Sequence, residues 1–226
     1  MTDHASSLLM LQHGDSFFPS GSVAFSYGME SLCADAKIQT HRDVQRIVEQ
    51  HLRYRWATLD RTLLRKAWCA DGNLDIVQSA DMVQQRMSIA NESRTGSWRA
   101  GRALLSVHKR LGTRCALEYS ERIDRRSAQG HLCVVQGLVW WGVGLSVEQA
   151  ETLSVHTMCV GMVSAAIRLG LIGHTGAQRL LTELRALAGD VLDIPCVDPE
   201  AVRTFTPAAD IAMMRHEWQT ARVFSN

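Results

Sequence analysis

Proline is nearly missing from this chain. It occurs at 19, 195, 199 and 207 only, so residues 20–194 run without one. Proline removes a backbone donor and its ring clashes with the preceding helical turn, so a long proline-free stretch favours helices. The hydrophobic pattern agrees. Between Thr40 and Ala70 the apolar residues Val44, Ile47, Val48, Leu52, Leu59, Leu63 and Leu64 recur at spacings of three, four and their sums, with Arg and Asp on the other faces. Thr40 followed by Asp43 supplies an N-terminal cap with a carboxylate in the first turn.

Further helix starts are written in the same chemistry. Ser146 with Gln149 and Thr175 with Gln178 have the spacing of capping boxes, in which a hydroxyl and a carboxamide reciprocally satisfy backbone donors. After the second, Ala177, Leu180, Leu181, Leu184, Leu187, Ala188 and Val191 form one apolar stripe. Thr206 before Pro207 predicts a last helix from Pro207 to near Val223, with Ile211, Met214 and Trp218 inward. Helical segments are also expected over 22–34, 75–112, 126–145 and 147–171, with turns at Gly72, Gly112 and Gly173. Strand-like alternation is weak, and no repeat or low-complexity tract is present. The expectation is a single all-α domain over residues 1–226, a bundle of about seven to nine helices. Glycines inside the helical segments, at 28, 101, 137, 142 and 161, each cost on the order of 1 kcal/mol against alanine, and close helix approach explains their presence.

Charge narrows the function. The 24 Lys and Arg against 23 Asp and Glu give a net charge of +1, without the basic excess that a phosphate backbone attracts, so nucleic acid is not an expected partner. A local run from Arg94 to Arg126 holds nine Arg or Lys against three Asp or Glu; it reads as a solvated helix face or as a surface for an acidic protein. Six cysteines, at 33, 69, 115, 133, 159 and 196, are scattered without a CxxC pair, which fits reduced thiols in a cytoplasm. The N-terminus has an acidic residue where a signal peptide carries basic ones. Residues 127–147 are uncharged and of bilayer length, but Gln129, His131 and Gln136 interrupt them, and a buried core helix is the expected outcome rather than a membrane span.

No complete catalytic constellation emerges. The stretch DSFFPSGSVAFSYGME at 15–30 lacks the Lys that a phosphate-binding loop requires, and neither Ser22 nor Ser26 sits in a Gly-x-Ser-x-Gly frame. Its serines read as turn formers and caps, Ser22 capping the helix that carries Tyr27 and Met29. His216 and Glu217 resemble a zinc-protease helix only superficially, because position 220 is Thr rather than a second His. His156 and Cys159 lie three apart on one helix and are weak metal candidates, a two-ligand fragment at best. Two alternatives stay open: a small-molecule enzyme using His131, Gln136, His156 and Cys159 in the core, and an independent metal carrier.

The two ends of the chain carry a resemblance. Asp15, Ser16, Phe18, Pro19, Gly21, Ser22, Ser26, Gly28 and Glu30 near the N-terminus, and His216, Glu217, Arg222, Val223, Phe224 and Ser225 in the C-terminal segment 207–226, together resemble the UreF family of urease accessory proteins. The resemblance implies a helical homodimer without catalytic groups or cofactor. It also implies a cytoplasmic scaffold that joins a UreD/UreH-type accessory protein to the UreG GTPase, in an assembly that delivers nickel to apo-urease. The terminal motif residues would then dock the UreD/UreH-type partner. The chain departs from the family pattern at Val23, where an aromatic is usual, at Phe25, where His is common, and at Tyr27, where a smaller residue or Phe is frequent. An aromatic anchor replaced by Val loses contact area on which interfaces rely.

Overall fold

A computed structural model describes residues 3–15, 17–18, 25–216 and 224. Among them the protein is all-α and contains no strand, and nine of its helices are seven residues or longer when the continuous run from His41 to Trp68 is counted as one. The periodic stretch identified first is a single rod. It begins as α3 (His41–His51), widens into a π-helical segment (Leu52–Asp60), and returns to α geometry in α4 (Arg61–Trp68) without leaving helical dihedrals at either junction. Thr40 and Asp43 form a full capping box at its start. All seven apolar residues named for this stretch are buried, each contributing about 1.5–3 kcal/mol by leaving water.

The other long helices pack around this rod. Before it lie α1 (Asp3–Gly14) and the short α2 (Met29–Ala34); after it come α5 (Leu74–Met87), α6 (Asn91–Arg110), α7 (Ala116–Asp124), α8 (Leu132–Gly142), α9 (Val147–Arg168), α10 (His174–Asp193) and α11 (Pro207–His216). Helix α8 lies between α4 and α6, and α10 packs along α9. Gly137 makes the first contact possible, since a β-carbon there would collide with the Leu64 carbonyl. The apolar interior divides into two clusters. One is built on α2, α3, α10 and the later part of α9, the other on α4, α8 and the first turns of α9.

Several boundaries differ from expectation, each for a local reason. The helix expected over 75–112 breaks at residues 88–90, where the Arg94 guanidinium donates to the carbonyls of Ser88 and Ile89, both at 2.8 Å. The helix expected from 126 begins only at Leu132. The backbone N–H groups of Gln129, Gly130 and His131 converge instead on the buried Asp81 carboxylate, at 2.5, 3.0 and 2.8 Å. Helix α10 starts behind Gly173 with no side-chain cap, so Thr175 lies inside the helix rather than at its mouth. The box at Ser146 and Gln149 forms as expected, and α1 and α7 were not anticipated. The helix expected from 22 starts at Met29; its proposed cap Ser22 lies outside the described residues.

Helix α9 is long and apolar enough to cross a bilayer by length and composition, yet 67% of that window is buried inside the fold. It serves as a shared core helix. The uncharged run at 127–147 contributes the eleven residues of α8 and the first residue of α9.

Candidate functional site

The two terminal motifs meet in space. His216, at the end of α11 and 1% exposed, places Nε2 2.9 Å from Glu30 Oε2 on α2 and Nδ1 against Glu92 Oε1 at the start of α6. Phe224 then donates its backbone N–H to the same Glu30 oxygen at 3.1 Å, and the Arg168 guanidinium lies 4.0 Å from the centroid of the Phe224 ring. A carboxylate accepts only, so pairing both ring nitrogens requires both N–H groups of the imidazole. One buried histidine thereby ties α2, α6 and α11 together. Arg215 adds an exposed ion pair to Asp35 beside it.

The entrance to α2 explains why the motif carries Gly28. Tyr27 and Gly28 take φ of 52° and 80°, so two successive residues adopt left-handed conformations, and the bulky Tyr27 stores strain there. A β-carbon on Gly28 would come within 2.8 Å of the Ala209 carbonyl oxygen, which is why α11 turns its small residues to this contact. Ala209, Ala212, Met213 and His216 form the inner face, while Ile211 and Met214 point outward, 55% and 38% exposed. This reverses the face expected from Ile211 and Met214. Trp218 lies outside the described residues.

Not every motif residue joins the cluster. Asp15 holds a local turn, accepting from the Phe17 N–H at 2.7 Å and, through its carbonyl, from the Phe18 N–H at 3.0 Å. Phe18 packs at a tilt against His13 and His108, ring centroids 4.7 and 5.7 Å away, whereas Phe17 is 93% exposed. His108 and Glu92 are sixteen residues apart on α6, about 24 Å at 1.5 Å per residue. The N-terminal motif therefore serves two separate places, one at each end of α6. Ser26 is buried, and its carbonyl accepts from Met29 N–H in the turn that opens α2. Ser16, Pro19, Gly21, Ser22, Val23, Glu217, Arg222, Val223 and Ser225 lie outside the described residues.

The core alternatives do not assemble. His156 is exposed and Cys159 buried in an apolar cluster, where burial pushes its thiol up to about 12, so the two face different surroundings. His131 pairs with Gln85 and Trp98, and Gln136 accepts from Ser154 at 3.2 Å. Gln136 lines an interior cavity beside Trp56, and His131, His156 and Cys159 do not. Among the described residues, no group of three His, Cys, Asp or Glu is placed to hold a metal ion. The basic run from Arg94 is largely engaged within the fold: Arg102 donates to the Gln129 carbonyl, Arg122 to Asp75 and Gln78, and Arg114 covers the Trp141 ring.

A polar layer that the sequence reading missed crosses the interior beside the His216 cluster. The π-helical segment places Arg55 Nε 3.5 Å from Asp60 Oδ2, five residues on, which is one turn of that wider helix. Gln84 donates to Asp60 at 2.9 Å, and the Trp56 indole N–H donates to Ser154 at 3.1 Å. Burial, reinforced by the Arg55 charge, pushes the imidazole of the neighbouring His51 down to about 3. The spacing of Arg55 and Asp60 was the available signal, but a period of 3.6 does not reveal it.

Comparison with known proteins points one way. The family model for UreF matches residues 38–185. A protein of Trichodesmium erythraeum (strain IMS101) described as urease accessory protein UreF is 31% identical over 236 residues, covering 100% of this chain and 99% of the relative. Proteins with the same description are 26% identical in Bacillus sp. (strain TB-90), covering 96% and 97% of the two chains, and 27% identical in Haemophilus influenzae (strain ATCC 51907 / DSM 11121 / KW20 / Rd), covering 93% and 91%.

Proposed function

Since this chain belongs to the UreF family of urease accessory proteins, we propose that it is a non-catalytic scaffold for nickel insertion into apo-urease. In this reading it acts in the cytoplasm as a homodimeric single-domain protein, bridging a UreD/UreH-type accessory protein and a UreG-type GTPase, with nickel as cargo rather than cofactor. The observation that supports it is the joining of the two terminal motifs through His216, Glu30 and Phe224. In this reading the junction holds a surface in fixed shape. Tight preorganisation lowers the ordering cost of binding a partner.

The docking role is assigned to Asp15, Ser16, Phe18, Pro19, Gly21, Ser22, Ser26, Gly28, Glu30, His216, Glu217, Arg222 and Phe224. Of these, Ser26, Gly28, Glu30, His216 and Phe224 are buried, so they act by shaping the surface rather than by touching the partner. Co-purification of the full chain with UreD/UreH-type and UreG-type proteins tests the reading. Association with both is expected; failure of both, under conditions where other UreF proteins associate, refutes it. Light scattering tests the dimer, which a monomeric mass at every concentration, with and without partners, would reject.

A further inference from the structure

The solvent-facing side of α6 carries one sign of charge. Beyond residue 92 the exposed positions of this helix are Arg99, Arg102, Lys109 and Arg110, and the helix holds no carboxylate after Glu92. Arg99 and Arg102 are one turn apart and Lys109 follows two turns later, so the charges line one face over about 15 Å at 1.5 Å per residue. Like charges one turn apart on a helix oppose its folding. The helix macrodipole accounts for cations in the last turn, where Lys109 and Arg110 stand. Arg99 and Arg102 lie two to three turns earlier, where that field has fallen off. Helix stability therefore does not explain the stripe.

The fold positions these cations without neutralising them. Arg102 donates its Nε–H to the Gln129 carbonyl at 2.9 Å and lies beside the Trp98 ring, and Arg114, in the turn after α6, lies over the Trp141 ring with Cζ 4.5 Å from the centroid. A carbonyl or a ring face fixes a guanidinium yet leaves its charge in place. Among the described residues Arg102, Lys109, Arg110 and Arg114 have no carboxylate within ion-pair distance, whereas Arg122 and Arg125 do. Two large apolar side chains stand exposed at the same end, Leu111 at 62% and Leu117 at 54%. Fixed cations beside exposed leucines complement a partner that presents carboxylates along a helix and an apolar residue at its end. A phosphate backbone lacks the apolar half, and a net charge of +1 supplies no broad field for one. We propose that the outer face of α6 and the turn after it dock an acidic amphipathic helix of a partner protein. The contacts of the terminal motifs with α6, His216 to Glu92 and Phe18 to His108, use its buried side. The outer face is thus a separate surface, and its failure leaves the role of those motifs untouched.

The test titrates the full-length protein into a fluorescein-labelled helical peptide with glutamates along one face and leucines at its ends, followed by anisotropy. A scrambled peptide of the same composition and a short DNA duplex run in parallel. Expected is saturable binding of the patterned peptide alone, weakened at least about tenfold by the double variant Lys109→Glu/Arg110→Glu and at least about threefold by Leu111→Ser. Arg179→Glu/Arg185→Glu, an equal charge change at exposed positions of α10, should alter it less than about twofold. No binding, equal binding of the scrambled peptide or of DNA, no weakening by Lys109→Glu/Arg110→Glu, or equal weakening by both double variants overturns the proposal. All the substituted side chains are exposed, and circular dichroism verifies their folding. Should Leu111→Ser lose helix content, the two double variants decide.

Discussion

His216 and Glu30 are paired across 186 residues of chain, Nε2 to Oε2 at 2.9 Å, in a site where both are almost wholly buried. His216→Ala leaves the carboxylates of Glu30 and Glu92 facing each other without the imidazole, and should cost about 3 kcal/mol. Guanidinium unfolding of His216→Ala, Glu30→Gln and the double variant should give a coupling energy of about 1–3 kcal/mol. Additive losses would show that the two residues act separately.

Helix α8 meets α4 at Gly137, where a β-carbon would strike the Leu64 carbonyl, whereas Gly189 on α10 has nothing within 4 Å of the same position. Gly137→Ala should destabilise by about 3 kcal/mol, because backbone rather than a side chain must move. Gly189→Ala should stabilise by about 0.5–1 kcal/mol through helix propensity. Thermal unfolding of the two variants, expected to shift in opposite directions, checks both.

Arg61 and Glu151 form a buried pair at 2.9 Å, 5% and 3% exposed, and Arg61 also donates to the carbonyls of Val191, Leu192 and Ile194 at the end of α10. The guanidinium thus caps a helix while neutralising a carboxylate. Glu151→Ala strands Arg61 in the interior and should cost about 3–5 kcal/mol. A loss below about 1 kcal/mol in chemical unfolding would mean that the capped carbonyls alone balance the charge.

Stability should fall with acid well before the carboxylates titrate. Burial lowers the imidazoles of His51 to about 3 and of His108 and His131 to about 4, while the unfolded chain protonates near 6.5. Below that value the unfolded state binds more protons, so stability is complete above pH 6.5 and drains as pH falls toward 4. Each histidine contributes a slope of up to about 1.4 kcal/mol per pH unit in that window. Unfolding midpoints measured at pH 7, 6 and 5 should decline; a flat profile contradicts buried neutral histidines.

Phe17 is a large aromatic left 93% exposed beside a motif assigned to docking. Phe17→Ala should leave stability within about 0.5 kcal/mol yet weaken binding of a UreD/UreH-type partner by about 2 kcal/mol, the scale of an aromatic anchor. Calorimetric titration measures the second quantity. Unchanged affinity would place the anchor elsewhere.

Helices and core were legible wherever a period of 3.6 and a local cap sufficed. Val44 through Leu64 and the boxes at Thr40 and Ser146 are of that kind. Long-range polar chemistry was not legible: Asp81 stops a helix start from 48–50 residues away, and Arg94 breaks another by capping carbonyls. The inner face of α11 was misread because bulk was taken to mean burial, while the approach of Gly28 demands Ala209 and Ala212 there. His216 and Glu30 were legible as motif members; their partner Glu92 belongs to neither motif. Arg55 and Asp60 escaped because the π-helical turn follows a different period.

The division of the interior into two apolar clusters has a consequence for cooperativity. The rod from His41 to Trp68 and helix α9 each contribute side chains to both clusters, with the Trp56 to Ser154 hydrogen bond bridging them at the division. Neither cluster can melt without shortening a helix on which the other depends. Two cores strung on common beams should therefore unfold in one calorimetric transition, with amide exchange slowest where the beams cross, around Trp56 and Ser154.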